Sequence, residues 1–310
     1  MNKFILACAV VLSAMPHALA CDICGCSSSG MQQGIMPGIL HDFAGVRLQH
    51  RQFESTHPGL FGKPGIVSHE QFSTMEAWGR YSPHPRLQLM GFVPYNHFVK
   101  NEPGQPTEMV RGLGDVRLLA NAVLINRNDT SGVAHLLLAG GGVKLPSGLN
   151  QGPTSAEPAY NPNMQAGTGS TDYMFMASYA LRVRLFGLMA EANYTRNTAN
   201  ALGYRFGNRM AAAGHVFVRL SPKKAKWTAI PRVGYSWENA AIDYSDWDAC
   251  AQNRYSGGTF GFANAALDVF AGRFAFNFNA ALPAHQNFAM GRVQSNGRFG
   301  AGITFLFNSF

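Results

Sequence analysis

Charged residues are scarce in this sequence. Asp, Glu, Lys and Arg make up 14% of its 310 residues, whereas soluble domains carry about 25%. Disorder requires low hydrophobicity with high charge, and a coiled coil requires abundant Glu and Lys, so the composition excludes both. The remaining question is how a chain that is 46% hydrophobic covers its apolar side chains with so few charges.

Long apolar runs are also missing. No stretch after residue 20 reaches the ~18 consecutive apolar residues of a membrane-spanning helix. The first 20 residues instead resemble an export signal, with Lys3, a short apolar run over 4–14 and the small-residue site Ala18-Leu19-Ala20. We therefore expect residues 1–20 to be a cleaved signal peptide. Lipidation of Cys21 is the alternative, although lipoprotein signals place Leu three residues before the Cys and Leu19 lies two before it.

Cysteine is rare, and its few positions are clustered. The sequence has five cysteines, of which Cys8 leaves with the signal. In an oxidising compartment the others are disulfide candidates: Cys21, Cys24, Cys26 and Cys250. Thiolates and thioethers also select Cu(I), which gives an alternative set of metal ligands: Cys21, Cys24, Cys26, Met31 and Met36. Residues 21–41 are therefore predicted to form a Cys- and Met-containing segment, either a plug or a periplasmic leader, with copper as its candidate metal.

The rest of the chain alternates with a period of two. In the segment from Arg273, the apolar residues Phe274, Phe276 and Phe278 occupy one face, and Asn277 and Asn279 occupy the other, which is typical of a β-strand. Twelve segments follow this pattern: 43–53, 69–82, 85–98, 112–126, 133–145, 171–182, 185–196, 205–220, 225–238, 257–271, 273–284 and 297–310.

The links between these segments alternate between short turns and long loops rich in Gly, Pro, Asn and Ser. Strands of about 9–11 residues or more, even in number and joined in this way, are typical of outer-membrane β-barrels. The prediction is an all-β fold: a closed antiparallel transmembrane β-barrel over 42–310 with about 12 strands (10 or 14 as alternatives), short periplasmic turns and long outer loops. A secreted sandwich or soluble barrel is less favoured, because such strands are commonly shorter, at about five or six residues.

Polar and charged side chains occupy the face opposite the apolar one. Buried unpaired charges are costly, so these residues are predicted to line a hydrated or hydrogen-bonded lumen. The candidate lumen residues are Arg47, Arg80, Asp115, Arg117, Glu191, Arg232 and Asp268. Aromatic residues share this face, among them Trp78 and Phe262. A mixed lining favours an amphiphilic or hydrophobic solute over a wide water pore, although these aromatics could equally fill a small barrel interior.

Two sequence elements resemble a known family. Gly112-Leu113-Gly114-Asp115 before a strand, and Gly141-Gly142-Val143-Lys144-Leu145-Pro146-Ser147-Gly148 at the end of a later one, are similar to elements of an outer-membrane transporter family. That family is named for the meta-pathway of phenol degradation and is distantly like fatty-acid transport barrels. The segment Cys21-Asp22-Ile23-Cys24-Gly25-Cys26 resembles the N-terminus of a subgroup of bacterial barrels. The resemblance implies a transporter or channel in the bacterial outer membrane, and supplies neither substrate nor catalytic residues.

These observations predict transport rather than catalysis. The sequence contains neither G-x-S-x-G nor H-E-x-x-H, and its positive charges are too dispersed for a nucleic-acid surface. The expected function is an outer-membrane transporter or channel for a small solute, hydrophobic or metal-linked, with membrane lipid as its surroundings. The alternative is an anchoring barrel whose cysteine segment binds copper or docks a periplasmic partner.

Overall fold

The computed structural model describes residues 41–57, 65–151, 161–245, 252–253 and 255–307. The predicted signal peptide, the five cysteines, Met31, Met36 and the C-terminal residues 308–310 lie outside the described residues. The predictions made for them, including residues 21–41 as a plug or leader, of which His41 alone is described, therefore stay predictions.

The described residues form one large antiparallel sheet that closes on itself, and a small three-stranded sheet. The strands in chain order are β1 Asp42–His57, β2 Ile66–His84, β3 Leu87–Asn101, β4 Glu108–Leu113, β5 Arg117–Asn128, β6 Val133–Lys144, β7 Asp172–Val183, β8 Phe186–Arg196, β9 Tyr204–Arg205, β10 Arg209–Val218, β11 Trp227–Ala240, β12 Asp243–Ser245, β13 Gln252–Asn253, β14 Gly258–Ala271, β15 Phe274–Phe288 and β16 Val293–Phe307. Strand β1 pairs with both β2 and β16, and this pairing closes the barrel.

The barrel wall has twelve strand positions in the part of the chain that the structure describes, as the sequence predicted. Strands β4 and β5 share one position in the wall, because both pair with β3. Strand β4 pairs with the C-terminal part of β3, and β5 pairs with its N-terminal part. Every register pair in the wall is antiparallel, and neighbouring strands are mostly consecutive in the chain. This closed arrangement leaves no open sheet edge, which is the condition for a sheet to cross a bilayer.

Side chains alternate between an exposed apolar face and a buried, largely polar face. On β15, Phe274, Phe276 and Phe278 are exposed, while Ala275 and Asn277 are buried. The same alternation runs along β2, where Glu76 and Arg80 are among the buried residues. Because the apolar side chains point outward, lipid covers them and few charges are required. This answers the question that the composition raised.

The two ends of the barrel differ. The first and last wall strands meet at Asp42 and Phe307. Five of the described short turns lie at the same end as these two residues, whereas the short link between β15 and β16, residues 289–292, lies at the other end. In the turn between β7 and β8, Arg184 takes a positive φ of 54°, and Gly272 takes one of 60° in the turn between β14 and β15; glycine adopts this conformation without strain. Short turns face the periplasm in outer-membrane barrels, so the longer loops lie at the outer end.

The fourth predicted strand, 112–126, is interrupted in the structure. The wall breaks between Leu113 and Arg117, so that Asp115 lies in the break and outside any strand. The Asp115 carboxylate faces inward and accepts hydrogen bonds from a segment that enters the barrel, as described below. The small sheet of β9, β12 and β13 at the outer end was also not predicted. Within it, burial raises the pKa of Asp243, although Gly207 N and Tyr204 Oη both donate to its carboxylate.

Candidate functional site: the barrel lumen

All seven predicted lumen residues are buried. They are Arg47 on β1, Arg80 on β2, Asp115 in the wall break, Arg117 on β5, Glu191 on β8, Arg232 on β11 and Asp268 on β14. The structure brings several of them into direct ion pairs, described next. Outside this candidate set it also buries Asp172 and leaves only 11–13% of the side chains of Lys144, Glu238 and Arg298 exposed.

Glu76 lies between two arginines at one level of the lumen. Its Oε2 accepts a 2.7 Å hydrogen bond from Arg47 Nε, and its Oε1 accepts one from Arg117. Arg47 and Glu76 are directly opposite each other on β1 and β2. The guanidinium of Arg47 also lies 4.7 Å from the centre of the Trp78 ring. These contacts neutralise the buried carboxylate and leave one excess positive charge in the triad.

A second ionic cluster holds a loop segment inside the barrel mouth. Lys144 Nζ lies 2.5 Å from Asp172 Oδ2 and 3.3 Å from Asp115 Oδ2. Asp115 Oδ2 also accepts hydrogen bonds from the backbone N and the hydroxyl of Thr168, at 2.8 and 2.7 Å, and its Oδ1 accepts one from Gly148 N at 3.0 Å. The buried carboxylate thus joins the wall break to residues 161–171.

The two sequence elements that carried the family resemblance contact each other here. Leu145 N donates to Val116 O at 2.8 Å, and Leu149 N donates to Leu113 O at 3.2 Å. A Cβ on Gly148 would lie 2.7 Å from Cα of Gly167, a distance that real Cβ atoms do not tolerate. Glycine at these positions lets the inward segment pack directly against the break in the wall.

An aromatic cluster fills the outer part of the lumen. Its members come from β1, β2, β3, β14 and the inward segment: Phe53, Phe72, Phe98, Phe260, Phe262 and Met164. The rings of Phe72 and Phe98 are 4.9 Å apart, and those of Phe53 and Phe260 are 6.1 Å apart. Met164 is only 1% exposed, so the inward segment that carries it helps to fill the outer part of the lumen.

A cavity of about 70 Å³ lies next to the aromatic cluster, on its periplasmic side. This volume is large enough for about two water molecules. Polar residues of several strands line it together with four alanines and one phenylalanine: Gln49, His50, Arg51, Glu191, Asn193, Ala211, Ala212, Ala213, Ser236, Glu238, Asn264, Asn279, Ala281, Arg298 and Phe299. We call this cavity the chamber. Glu191 on β8 and Arg51 on β1 lie six strand positions apart in the twelve-position wall, so the chamber spans the lumen from one wall to the other.

Several polar atoms of the chamber lack partners. Within the described chain, Oε1 of Glu191 and Oδ1 of both Asn193 and Asn264 accept no hydrogen bond, and Nε of Arg298 donates none. Arg298 is otherwise paired with Glu238 through bonds of 2.5 and 2.9 Å. Buried polar groups normally have a partner, so the unused acceptors and donor make the chamber suited to a small polar guest.

On the periplasmic side of the chamber, Arg232 is close to two acids. Its terminal nitrogen lies 3.7 Å from Asp268 Oδ2, and neither Asp268 oxygen has a hydrogen bond within the described residues. Glu191 lies on the opposite side of Arg232, one strand beyond β10. This sparse pairing contrasts with the saturated triad around Glu76.

No described group of three or more His, Cys, Asp or Glu side chains could hold a metal ion. The candidate metal ligands Cys21, Cys24, Cys26, Met31 and Met36 lie outside the described residues. Within the described part of the chain, no helix is long and apolar enough to cross a membrane.

Comparison with known proteins gives matches of fold. The COG4313 outer membrane channel from Pseudomonas putida F1 superposes with a TM-score of 0.62 at 12% sequence identity, covering 87% of this chain and 96% of that chain. The β domain of the Bordetella autotransporter BrkA superposes with a TM-score of 0.51 at 13% identity, covering 86% of this chain and all (100%) of that one. The fold is that of an outer-membrane β-barrel. No protein-family model and no curated protein matches the sequence.

This fold and the exposed apolar face agree with each other. The outward side chains of the wall are largely apolar and suited to lipid, and the inward side chains are largely polar or aromatic. The protein is therefore located in the bacterial outer membrane, as predicted from the alternation of its strands.

Proposed function

We propose that this barrel is an outer-membrane channel or transporter for a small polar solute, and that the chamber is the point at which the solute binds on its way through. The observation that carries the proposal is the chamber itself: a cavity in mid-lumen, spanning the barrel, with three unused acceptors and one unused donor. The fold shared with a protein described as an outer membrane channel supports the transport class.

The chemistry of the chamber favours solutes that carry N–H donors. Glu191 is 7% exposed, and the unused oxygens of Glu191, Asn193 and Asn264 are all acceptors. An ammonium, amidinium or amide group would satisfy these acceptors, whereas a hydrocarbon would leave them buried and unpaired, at a cost of about 1–3 kcal/mol for each group. The proposal therefore favours a polar solute over the hydrophobic one that the sequence also allowed, because a hydrophobic solute would leave the acceptors of the chamber without partners.

Replacing Glu191 with Gln tests the role of the chamber. The neutral side chain removes the negative charge of Glu191, whose Oε1 has no partner among the described residues, at nearly constant volume. The permeability of small ammonium ions relative to chloride should therefore fall by about tenfold, which corresponds to roughly 1.4 kcal/mol. The measurement is the reversal potential across a planar bilayer containing the purified protein. Glu102→Gln, in the loop between β3 and β4, is the control and should leave the reversal potential unchanged.

The two parts of the proposal fail differently in this experiment. A wild-type barrel that passes no ion and no small solute contradicts the transport function. A conducting barrel in which Glu191→Gln has unchanged selectivity contradicts only the assignment of the chamber as the binding point.

The family relationship belongs to the proposal as well. We infer that the chain is a distant relative of the outer-membrane transporters associated with phenol degradation. The contacts of Leu113 and Val116 with 145–149 support this inference, because they join the two elements that resemble the family at one place in the fold. Uptake of aromatic solutes by a strain carrying the protein, compared with a strain lacking it, would test it.

An anchoring barrel is the second candidate function. It is favoured by the side chains that fill the outer lumen and by the position of residues 21–41, which are joined to the barrel at its periplasmic end, where β1 begins. In this case the cysteine segment would bind copper or dock a periplasmic partner, while the barrel passes no solute.

The copper hypothesis predicts a metal content that depends on Cys24 and Cys26. Protein purified under reducing conditions with Cu(I) should retain copper, because paired thiolates bind this ion strongly, and the Cys24→Ser, Cys26→Ser double variant should lose it. Cys250→Ser is the matched control and should keep the wild-type content. Equal copper in the double variant and the wild type, measured by elemental analysis, would disprove the hypothesis.

A further inference from the structure

Every described short turn at the periplasmic end carries basic side chains. They are Arg86 between β2 and β3, Arg127 at the end of β5, Arg182 at the end of β7, Arg184 between β7 and β8, Arg219, Lys223, Lys224 and Lys226 between β10 and β11, and Arg273 between β14 and β15. We call these nine residues the basic rim. Among the described residues of these turns, the single acidic side chain is Asp129.

The basic rim is not used in the internal ion pairs of the barrel. None of its nine side chains takes part in an ion pair with another described residue. Most of them are exposed, including all three lysines. The charges are therefore available to a partner outside the protein.

Exposed apolar residues stand directly beside these charges. Leu185 and Phe186 follow Arg184 and are 53% and 67% exposed, and Trp227 follows Lys226 and is 44% exposed. Phe274 follows Arg273 and is 46% exposed. Because these neighbours face the hydrocarbon region, the basic side chains lie where the apolar belt ends, at the level of lipid headgroups.

From this placement we propose that the basic rim binds anionic phospholipid headgroups of the periplasmic leaflet, such as phosphatidylglycerol. Clustered Lys and Arg side chains next to a membrane attract anionic lipids, and Arg and Lys donate strong hydrogen bonds to phosphate. The charges occur on five turns distributed around the barrel. Lipid also surrounds the barrel on all sides, so charges spread around it fit a lipid partner. A protein partner would instead favour a compact charged patch on one side of the barrel.

Trp227 supplies a direct measurement, because it is exposed beside Lys226 and its fluorescence is quenched by brominated lipid in contact with it. In mixed vesicles, brominated phosphatidylglycerol should quench the wild type more than the same fraction of brominated phosphatidylcholine. Removing two charges with Lys223→Gln and Lys224→Gln should weaken the preference by about fivefold for each lysine. Trp227→Phe should remove most of the excess quenching and so identify the reporter.

Arg111→Gln with Arg196→Gln is the matched control, because it removes two exposed charges from the outer end of the wall. This variant should keep the full preference for phosphatidylglycerol. The proposal is overturned if both lipids quench the wild type equally, or if the control loses as much preference as the lysine variant. It is also overturned if the lysine variant keeps its lipid preference but loses binding to isolated peptidoglycan, which would identify an anionic polymer as the partner.

Discussion

Replacing Asp115 with alanine should open the outer mouth of the barrel and raise its conductance several-fold. Asp115 accepts three hydrogen bonds from Gly148 and Thr168, and it is an ion-pair partner of Lys144. Without the carboxylate, the backbone N–H groups of Gly148 and Thr168 are left as buried donors without partners, at a cost of roughly 1–3 kcal/mol each. Residues 161–171 then lower their free energy by leaving the lumen, because water can accept hydrogen bonds from these donors.

The expected opening follows from what this segment carries. Met164 packs among the phenylalanines of the aromatic cluster, and Asn96 Nδ2 donates to Ala166 O at 2.7 Å. Once Thr168 is released, the packing of Met164 and the hydrogen bonds to Ala166 and Gly167 hold the segment without its link to the buried carboxylate. The closure of the outer lumen should therefore become intermittent, with conductance steps that are rare or small in the wild type.

Single-channel recording in planar bilayers measures this effect. Asp129→Ala is the matched control, because Asp129 is an exposed carboxylate in the turn between β5 and β6, with hydrogen bonds only to its neighbours Thr130 and Ser131 among the described residues. Asp115→Asn should give an intermediate conductance, since the amide keeps one acceptor. If Asp115→Ala conducts like the wild type while its barrel remains folded, the inward segment does not close the lumen.

The barrel itself could be predicted from the sequence because each strand has one lipid face and one lumen face. This requirement imposes a period of two on residues such as Phe274 to Phe278, and the period alone determines which side chains turn inward. That Arg47, Arg232 and the other candidates face the lumen follows from the place of each residue in this alternation, which we call its parity, and requires no knowledge of any contact. The fold class and the location in the outer membrane were thus predictable.

The contacts inside the lumen were not predictable in the same way. Parity gives the face of a residue but not its height in the barrel, which depends on the stagger between strands. Glu238 and Arg298 are 60 residues apart, and only the closed wall brings them to one level. The chamber has the same origin, because the closed wall places Ala211 and Ala213 of β10 and Ala281 of β15 around the same space.

The inward segment left no periodic signal. Its contact with Asp115 joins residues 53 apart, and 161–171 is too irregular for a strand or helix pattern. The wall break left only a small signal: apolar Leu113 has the same parity as polar Asp115 and Arg117, so the alternation shifts by one residue between Leu113 and Val116. The useful clue was the resemblance itself, because its two glycine-rich elements, 112–115 and 141–148, contact each other at the wall break.

The second large effect concerns the triad around Glu76. Replacing Glu76 with alanine should destabilise the barrel by roughly 3–5 kcal/mol, because it leaves the guanidinium groups of Arg47 and Arg117 buried without their counter-charge. Both arginines are at most 7% exposed at the side chain, so water cannot replace the lost carboxylate. Urea unfolding in lipid vesicles, followed by tryptophan fluorescence, should show the midpoint fall. Glu54→Ala, which removes an exposed carboxylate 3.5 Å from His69, should change stability by less than about 1 kcal/mol.

A triple variant separates charge pairing from packing at the triad. Arg47→Met, Glu76→Met and Arg117→Met together remove all three charges at similar volume, and the new side chains can pack on Trp78 and Phe92, which the arginines now contact. Replacing a complete buried ionic group with apolar residues is often neutral or stabilising, so the triple variant should recover the wild-type midpoint. If Glu76→Ala and the triple variant are equally unstable, the triad stabilises the wall through the shape of its side chains, and charge pairing is not what holds this level of the barrel.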